Sequence, residues 1–465
     1  MEENTKKTQK QTENAIGKEN KIVTGVIWQQ LLLFFFPILF GTFFQQLYNA
    51  ADAVIVGRFV GKEALSAVGG GTGTLIQLLV GFFVGLSSGA TVIISQYYGA
   101  KRAEMVGYAV HTSIAFSLVA GVGMMIVGIT VAPWALRAMS TPEDILGPAT
   151  TYIRIYFLGV IGNLIYNMGA GILRAVGDSK RPLYFLIASC FANIILDIVF
   201  VVYFHMGIAG AALATIISQC VSAFLVIWVL VRTSDMYQLH FSKLGLDMRM
   251  LKRIVRIGLP SGLQSAMYTT SNIIIQSSVN SLGTDTVAAW ATYGKIDVIF
   301  WMIISAFSIS VTTFVGQNYG AGKMDRVRKG IRVCLGMSFV TTLFLSLFLY
   351  NFGQYIFQIF TTDPAVIANG FAYLKGFAPE TIVTAVLFSM IGYFNGNNQT
   401  LWVMVQGLVQ TLLVRLPFAY IMSIQPNASL TKIGLAAPVS TTVGIILNVL
   451  FYLHLNRKKK DILAK

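Results

Sequence analysis

Charge is what this chain has least of. Only 11% of its 465 residues are Asp, Glu, Lys or Arg, where soluble domains carry about 25%. Set against 55% hydrophobic residues, that scarcity excludes a soluble globular protein and implies an integral membrane protein. Acids are the scarcer sign, 19 against 34 Lys and Arg. The net charge of +15 invites a nucleic-acid reading, which the placement of the bases rejects below. The three cysteines, Cys190, Cys220 and Cys334, all sit in apolar runs and read as small core residues, with no disulfide framework. The four histidines, His111, His205, His240 and His454, form no metal spacing. No Walker A motif occurs, which argues against ATP hydrolysis by this chain. Residues 1–20 are rich in Lys, Gln, Glu and Asn and lack the apolar segment and cleavage site of a signal peptide. Residues 1–24 are therefore expected to form a disordered cytoplasmic tail.

What is abundant is apolar sequence in long runs. Twelve can be placed, at roughly 25–57, 63–92, 104–132, 146–173, 182–204 and 208–232, and then at roughly 252–281, 286–314, 326–351, 365–395, 400–424 and 433–456. Each is long enough to cross the hydrocarbon core as a helix, which takes about 20 residues. The expected fold class is thus all-α, with twelve transmembrane helices in two parallel-repeat six-helix bundles. The expected bundles are 25–232 and 252–456, joined by a cytoplasmic connector at 233–251, and residues 457–465 form a basic cytoplasmic tail.

The bases choose the side. They crowd into the amino-terminal tail, the loop at Lys101-Arg102, the loop at Lys180-Arg181, the stretches from Lys243 to Arg256 and from Lys323 to Arg332, and the run Arg457 to Lys460. The alternate loops hold only Arg58, Lys62, Arg137 and Lys432. This asymmetry is the positive-inside pattern and places both termini in the cytoplasm. The excess charge is topological and faces lipid headgroups, so no nucleic-acid partner is expected.

The halves repeat. Ser95-Gln96-Tyr97-Tyr98-Gly99-Ala100 recurs as Gly316-Gln317-Asn318-Tyr319-Gly320-Ala321, Tyr152-Ile153-Arg154 as Tyr373-Leu374-Lys375, and Pro37 as Pro260. The fifth and eleventh spans align as Leu183 to Asp197 and Leu401 to Arg415. With six spans per half, the two repeats run the same way across the membrane, as in transporters that hold substrate between two lobes.

Ionisable residues inside spans are costly, roughly 2.5–3.5 kcal/mol on insertion scales, and mark function by default. Asp52 stands in the first span with Tyr48 one turn before it on the same face. Asp197 stands in the fifth with Asn193 four residues earlier, and Thr215 in the sixth. At about 1.5 Å per residue, Asp197 and Thr215 both lie roughly 10 Å below the outer surface, and Asp52 lies at similar depth. Two carboxylates, an amide and a hydroxyl at one level suit a hard cation such as sodium. Two neighbouring acids also suit proton carriage. The second half carries Ile274 or Ile275, Thr411 and Arg415 at the aligned positions, so this site belongs to the amino-terminal lobe. The other ionisable residues, Arg154, Lys295, Asp297, Lys375, Glu380 and Arg415, suggest a polar cavity reaching outwards; Lys375–Glu380 and Lys295–Asp297 read equally well as ion pairs between helices. Gly81, Gly85 and Gly89, four apart, read as close helix packing. Residues 85–89 also match the hydrolase pattern G-x-S-x-G, but in a membrane helix and without its strand–turn–helix context. The methionines and aromatics mostly cover lipid-facing and core surface.

On these residues the chain resembles the multidrug and toxic compound extrusion (MATE) family. The resemblance rests on the twelve-span repeat, on Tyr48-Asn49-Ala50-Ala51-Asp52 followed by Val56-Gly57-Arg58, and on the paired Gln-x-Tyr-Gly-Ala signatures. It implies export of organic, often cationic, compounds against inward flow of sodium or protons. It also implies that Asp52, Asn193, Asp197 and Thr215 hold the coupling cation, with Tyr48 beside them. Pro37 matches a proline associated with helix bending in some members. The chain departs from the branch that carries its coupling acids mainly in the second lobe; Glu380 echoes that branch, but Arg415 nearby tells against a cation site there. The expectation is a secondary antiporter, not an enzyme, with no cofactor beyond the coupling ion. It is expected to be a monomer in the cell membrane, and its partners are small-molecule substrates and the lipid bilayer. The alternative is a flippase or exporter of lipid-linked saccharide or another metabolite.

Overall fold

In hydrocarbon a backbone must satisfy its own hydrogen bonds, and a long apolar run does so as a helix. A computed structural model describes residues 20–139 and 141–463, and in them helices follow one another with no strand. Ten are long and apolar enough to span: Ile27–Phe59, Lys62–Gly99, Ala103–Ala138, Lys180–Tyr203, Gly207–Arg232, Thr284–Gly320, Met324–Phe360, Pro364–Gly396, Thr400–Ser423 and Leu430–Leu455. An eleventh is the pair Glu143–Leu158 and Val160–Val176, bent by 49° at Gly159. In chain order that pair is the fourth span, and the seventh, Met248–Asn280, has the length, 33 residues, but is not among the apolar ten. Its first turns carry Arg249, Lys252, Arg253 and Arg256, and its middle is rich in Ser, Thr, Asn and Gln. The first helix, Ile27–Phe59, runs without interruption through Pro37.

The tail departs from expectation at its end. Residues 1–19 lie outside the described residues, but Lys21–Thr24 form a helical turn whose Ile22 and Val23 are buried. Asn20 caps it by accepting from the Ile22 N–H at 3.2 Å, the usual work of an Asn before a first turn. The turn is also held from a distance. Asn20 Nδ2 donates to Gln317 Oε1 at 3.0 Å, Asn318 Nδ2 to the Ile22 carbonyl at 3.3 Å, and Lys323 Nζ to the Val23 carbonyl at 3.1 Å.

Two compact units divide the chain. The first comprises the described residues to Gly262 together with Gly316–Met324; the second comprises Leu263–Val315 and the residues from Asp325 onwards. The start of the seventh helix and the end of the eighth therefore belong with the first unit, which the expected boundary at 233–251 does not anticipate. Glycine explains why. A Cβ on Gly85 would strike Gly262, one on Gly89 the Ile254 carbonyl, and one on Gly258 the Leu86 carbonyl. The repeated signatures also meet one another: a Cβ on Gly99 would strike the Gln317 carbonyl, and one on Gly320 the Gln96 carbonyl. Gly85 to Gly89 is thus a helix-packing surface inside Gly71–Gly99, and the hydrolase pattern has no structural context.

The core of the first unit is built from the inward faces of its spans, with Ile94, Val110, Ile172, Leu173, Val226 and Ile254 at most 1% exposed. The connector is pinned to it. The His240 N–H donates to His111 Nε2 at 3.0 Å, and His111 Nδ1 lies 2.6 Å from the Gly107 carbonyl. With Nε2 accepting, the proton of the neutral ring sits on Nδ1 and donates to that carbonyl. The second unit has its own core around Val279, Ala289, Phe357, Leu374 and Ala378. The aromatic side chains on the outer faces, Phe36, Phe40 and Phe43 among them, are about half exposed, as a lipid-facing surface requires.

Candidate cation site and a second cavity

In the first unit the first span packs along the fifth and sixth, and the predicted cation residues fall on the packed faces. Asn193 and Asp197 are 0% exposed, Thr215 5% and Asp52 7%. Asp52 and Asp197 are close enough to act on one another electrostatically. Neither Asp52 nor Asp197 is in an ion pair with a described residue. Both oxygens of Asp197, both amide atoms of Asn193 and Oδ1 of Asp52 are buried without a hydrogen-bond partner in the protein. Each such atom costs roughly 1–3 kcal/mol, more where charged. Thr215 Oγ1 donates to the Ala211 carbonyl at 3.0 Å, which leaves its lone pairs free to accept.

The local backbone contributes. Directly after Asp197 the fifth span turns into π-helix over Ile198–Tyr203. A π turn shifts the pairing by one residue and re-aims the side chains next to it, and such turns gather at functional sites. The eleventh span does the same from the other side: its π segment, Val409–Arg415, ends at the residue aligned with Asp197.

Around the quartet stand Tyr48 and a second group absent from the expected site: Tyr152, Tyr156, Gln45 and Gln219. Tyr152 interacts with Asp52 and Thr215, Tyr48 with Gln45, Gln219 and Asp52, and Tyr156 with Gln219. Tyr48 is thus beside Asp52. Tyr152 and Tyr156 are four apart, on one face of Glu143–Leu158. That spacing of two polar aromatics inside a span was the available signal.

The second unit holds a cavity of about 230 Å³ walled by spans seven, eight, ten, eleven and twelve. Three of the five predicted cavity residues line it: Asp297, Glu380 and Arg415. Asp297 accepts from Tyr293 Oη and Trp301 Nε1, both at 2.9 Å. Glu380 Oε1 accepts from Thr384 Oγ1 at 2.6 Å and Thr441 Oγ1 at 2.9 Å. Arg415 lies over the Tyr268 ring at 4.8 Å and donates to Ser271 Oγ at 3.5 Å.

The other two predicted cavity residues are elsewhere. Lys295 is exposed, with Nζ over the Phe360 ring at 5.1 Å, and Arg154 is exposed, with Nε 3.4 Å from the Ile129 carbonyl. Helix geometry is the reason: residues two apart do not share a face, and Lys295 is two from Asp297 while Arg154 is two from Tyr152. Neither Lys295–Asp297 nor Lys375–Glu380 forms an ion pair; Lys375 instead lies over Phe371 at 4.6 Å and Tyr350 at 5.5 Å.

The chain is similar to known proteins over most of its length. The MatE family model matches residues 37–199 and 260–421, one block in each half. The chain is 28% identical over 447 residues to the probable multidrug resistance protein YoeA of Bacillus subtilis (strain 168), covering 93% of this chain and 95% of that one. It is 30% identical over 401 residues to YpnP of the same strain, also a probable multidrug resistance protein, covering 86% and 89%. Among solved structures, a MOP superfamily transporter from Pyrococcus furiosus superposes with a TM-score of 0.88 at 22% identity, over 95% of this chain and 99% of that one. An outward-facing multidrug resistance MATE transporter of the same superfamily superposes at 0.87 and 23%, over 96% and 99%. The two matched blocks take in well over half of the sequence, so the chain is a multi-pass membrane protein that belongs to the MatE family of transporters.

Proposed function

We propose that the protein is an ion-coupled antiporter that exports drug-like or organic cationic compounds in exchange for sodium or protons. Its coupling site is Asp52, Asn193, Asp197 and Thr215, with Tyr48 beside them. The observation that carries this reading is the set of buried atoms on Asp52, Asn193 and Asp197 that the protein leaves without partners. An oxygen-rich cluster of this kind is stable when it shares a proton or ligates a hard cation. The names of the relatives, multidrug resistance proteins, support the export of drugs. Entry of a cation relieves the repulsion between the two acids and favours whichever state binds it more tightly, and only by that difference in affinity. The membrane potential adds about 2.3 kcal/mol per charge per 100 mV. Both termini face the cytoplasm, the protein works as a monomer in the bilayer, and the ion is its only helper.

The test is purified protein in liposomes, loaded with a fluorescent organic cation and given sodium and proton gradients separately. One gradient should drive transport in the wild type. Asp197→Asn and Asp52→Asn should each abolish the gradient-driven component per folded molecule while leaving substrate binding in place. Wild-type transport rates in both folded variants would sink the assignment of the site.

A further inference from the structure

We propose that the turn Lys21–Thr24, with its cap Asn20, is a strap that fastens the end of the eighth helix and has to let go in each transport cycle. The eighth helix, Thr284–Gly320, is shared: up to Val315 it belongs with the second unit, and from Gly316 the chain belongs with the first. The strap takes hold at that shared end. Asn20 Nδ2 donates to Gln317 Oε1, Asn318 Nδ2 to the Ile22 carbonyl and Lys323 Nζ to the Val23 carbonyl. Gln317 passes the hold on, because its Nε2 donates to the Ala175 carbonyl of the fourth span at 2.6 Å. Ile22 Cδ1 rests on the bare face of Gly177, 3.1 Å from where a Cβ would stand. One turn therefore gathers the start of the first span and the ends of the fourth and eighth.

The hold is of a kind that opens. It consists of hydrogen bonds to an amide and to backbone carbonyls, which are individually modest. The helix itself is only four residues long. A change in the second unit that moves its eighth helix pulls on the fastened end, and a short hydrogen-bonded turn yields before a long helix does. There is room for it to yield. Ile22 and Val23 are buried, but Asn20, Lys21 and Ile22 also form part of the wall of a cavity of about 320 Å³. Gly25 joins the strap to the first span, and its N–H donates to the Lys21 carbonyl at 2.7 Å. A Cβ on Gly25 would stand 2.7 Å from that same carbonyl, so the closed strap requires glycine at this joint. Substitution there loosens the strap without touching any group that it grips.

The experiment uses the full-length protein in liposomes, with Cys190, Cys220 and Cys334 replaced by alanine. Thr24→Cys and Lys323→Cys, at two exposed positions, are joined by a short bis-methanethiosulfonate and freed by a reductant. Exchange of a fluorescent organic cation, with no ion gradient, should fall at least about tenfold on crosslinking and return on reduction, because a gating step that cannot open stops turnover. The same reagent should leave either single-cysteine variant unchanged. Exchange by the crosslinked protein at the reduced rate would overturn the proposal. A second readout needs no transport. The thiol of Val23→Cys, buried while the strap is closed, should react at least about tenfold faster with a methanethiosulfonate when Gly25→Ala is added, as local opening exposes it. Equal reaction rates with and without Gly25→Ala would also overturn the proposal. The strap rests on the antiporter reading only for the first readout: a reduced protein that moves no cation sinks that reading, and the thiol rates still decide the strap.

Discussion

A buried carboxyl group with no partner is a liability to the fold and an asset to a transporter. Asp197 is the extreme case, with both oxygens orphaned at 0% exposure. Asparagine has the same shape without the charge. Asp197→Asn should therefore melt at or above the wild-type temperature in detergent, by roughly 1 kcal/mol of relief from buried charge and its repulsion by Asp52. A clear drop in Tm would mean that the acid holds helices together. At this scale the sequence was informative where spacing and depth coincide: Asp52, Asn193, Asp197 and Thr215 were named from their level in the membrane, and all are buried. It misled where depth was used without azimuth. Lys295 and Arg154 lie at the right level and on the wrong face. Tyr152, Tyr156 and Gln219 escaped notice because uncharged polar groups in a span raise no alarm until their neighbours are known.

Among the elements, the spans themselves were legible because apolar runs of membrane length have few other fates. The π segments were not: Ile198–Tyr203 is wholly β-branched and aromatic, but such runs are ordinary lipid-facing sequence in a span, and Val409–Arg415 is mixed. Nor was the break at Gly159, since a glycine inside an apolar run is as often a packing position as a bend. The glycines read as packing positions do pack, and harder than their spacing alone could say. At Gly99 and Gly320 an added methyl group would meet a backbone carbonyl of the facing helix, and a backbone cannot step aside as a side chain can. Gly99→Ala and Gly320→Ala should each cost about 1–3 kcal/mol or more, read as a fall in Tm and in folded yield. Gly107→Ala, with nothing within 4 Å of the new carbon, should be neutral or stabilising by up to about 1 kcal/mol. If all three behaved alike, the close approach would not be what matters at the first two.

For the molecule as a whole, the placement of Lys and Arg makes a topological forecast that span counting cannot. A cysteine introduced at Ser242 in the connector, in a background without Cys220, should resist impermeant thiol reagents in intact cells and react once they are permeabilised. Labelling of intact cells would reverse the orientation. The division into units was read less well than the spans, because the ends of the seventh and eighth helices go with the first unit through contacts made by glycine, and glycine carries no polarity to announce its partner. Those contacts have one further property. Gly99 faces Gln317 and Gly320 faces Gln96, so a hexapeptide is clasped to its own duplicate with the roles exchanged. That reciprocity is the mark of an isologous interface, the kind two identical subunits make across a two-fold axis. Two unlinked half-length chains could form it without any change of geometry. Joining them in one polypeptide alters only its mass action: the partner is supplied at an effective concentration set by the tether, and the clasp closes however dilute the protein becomes.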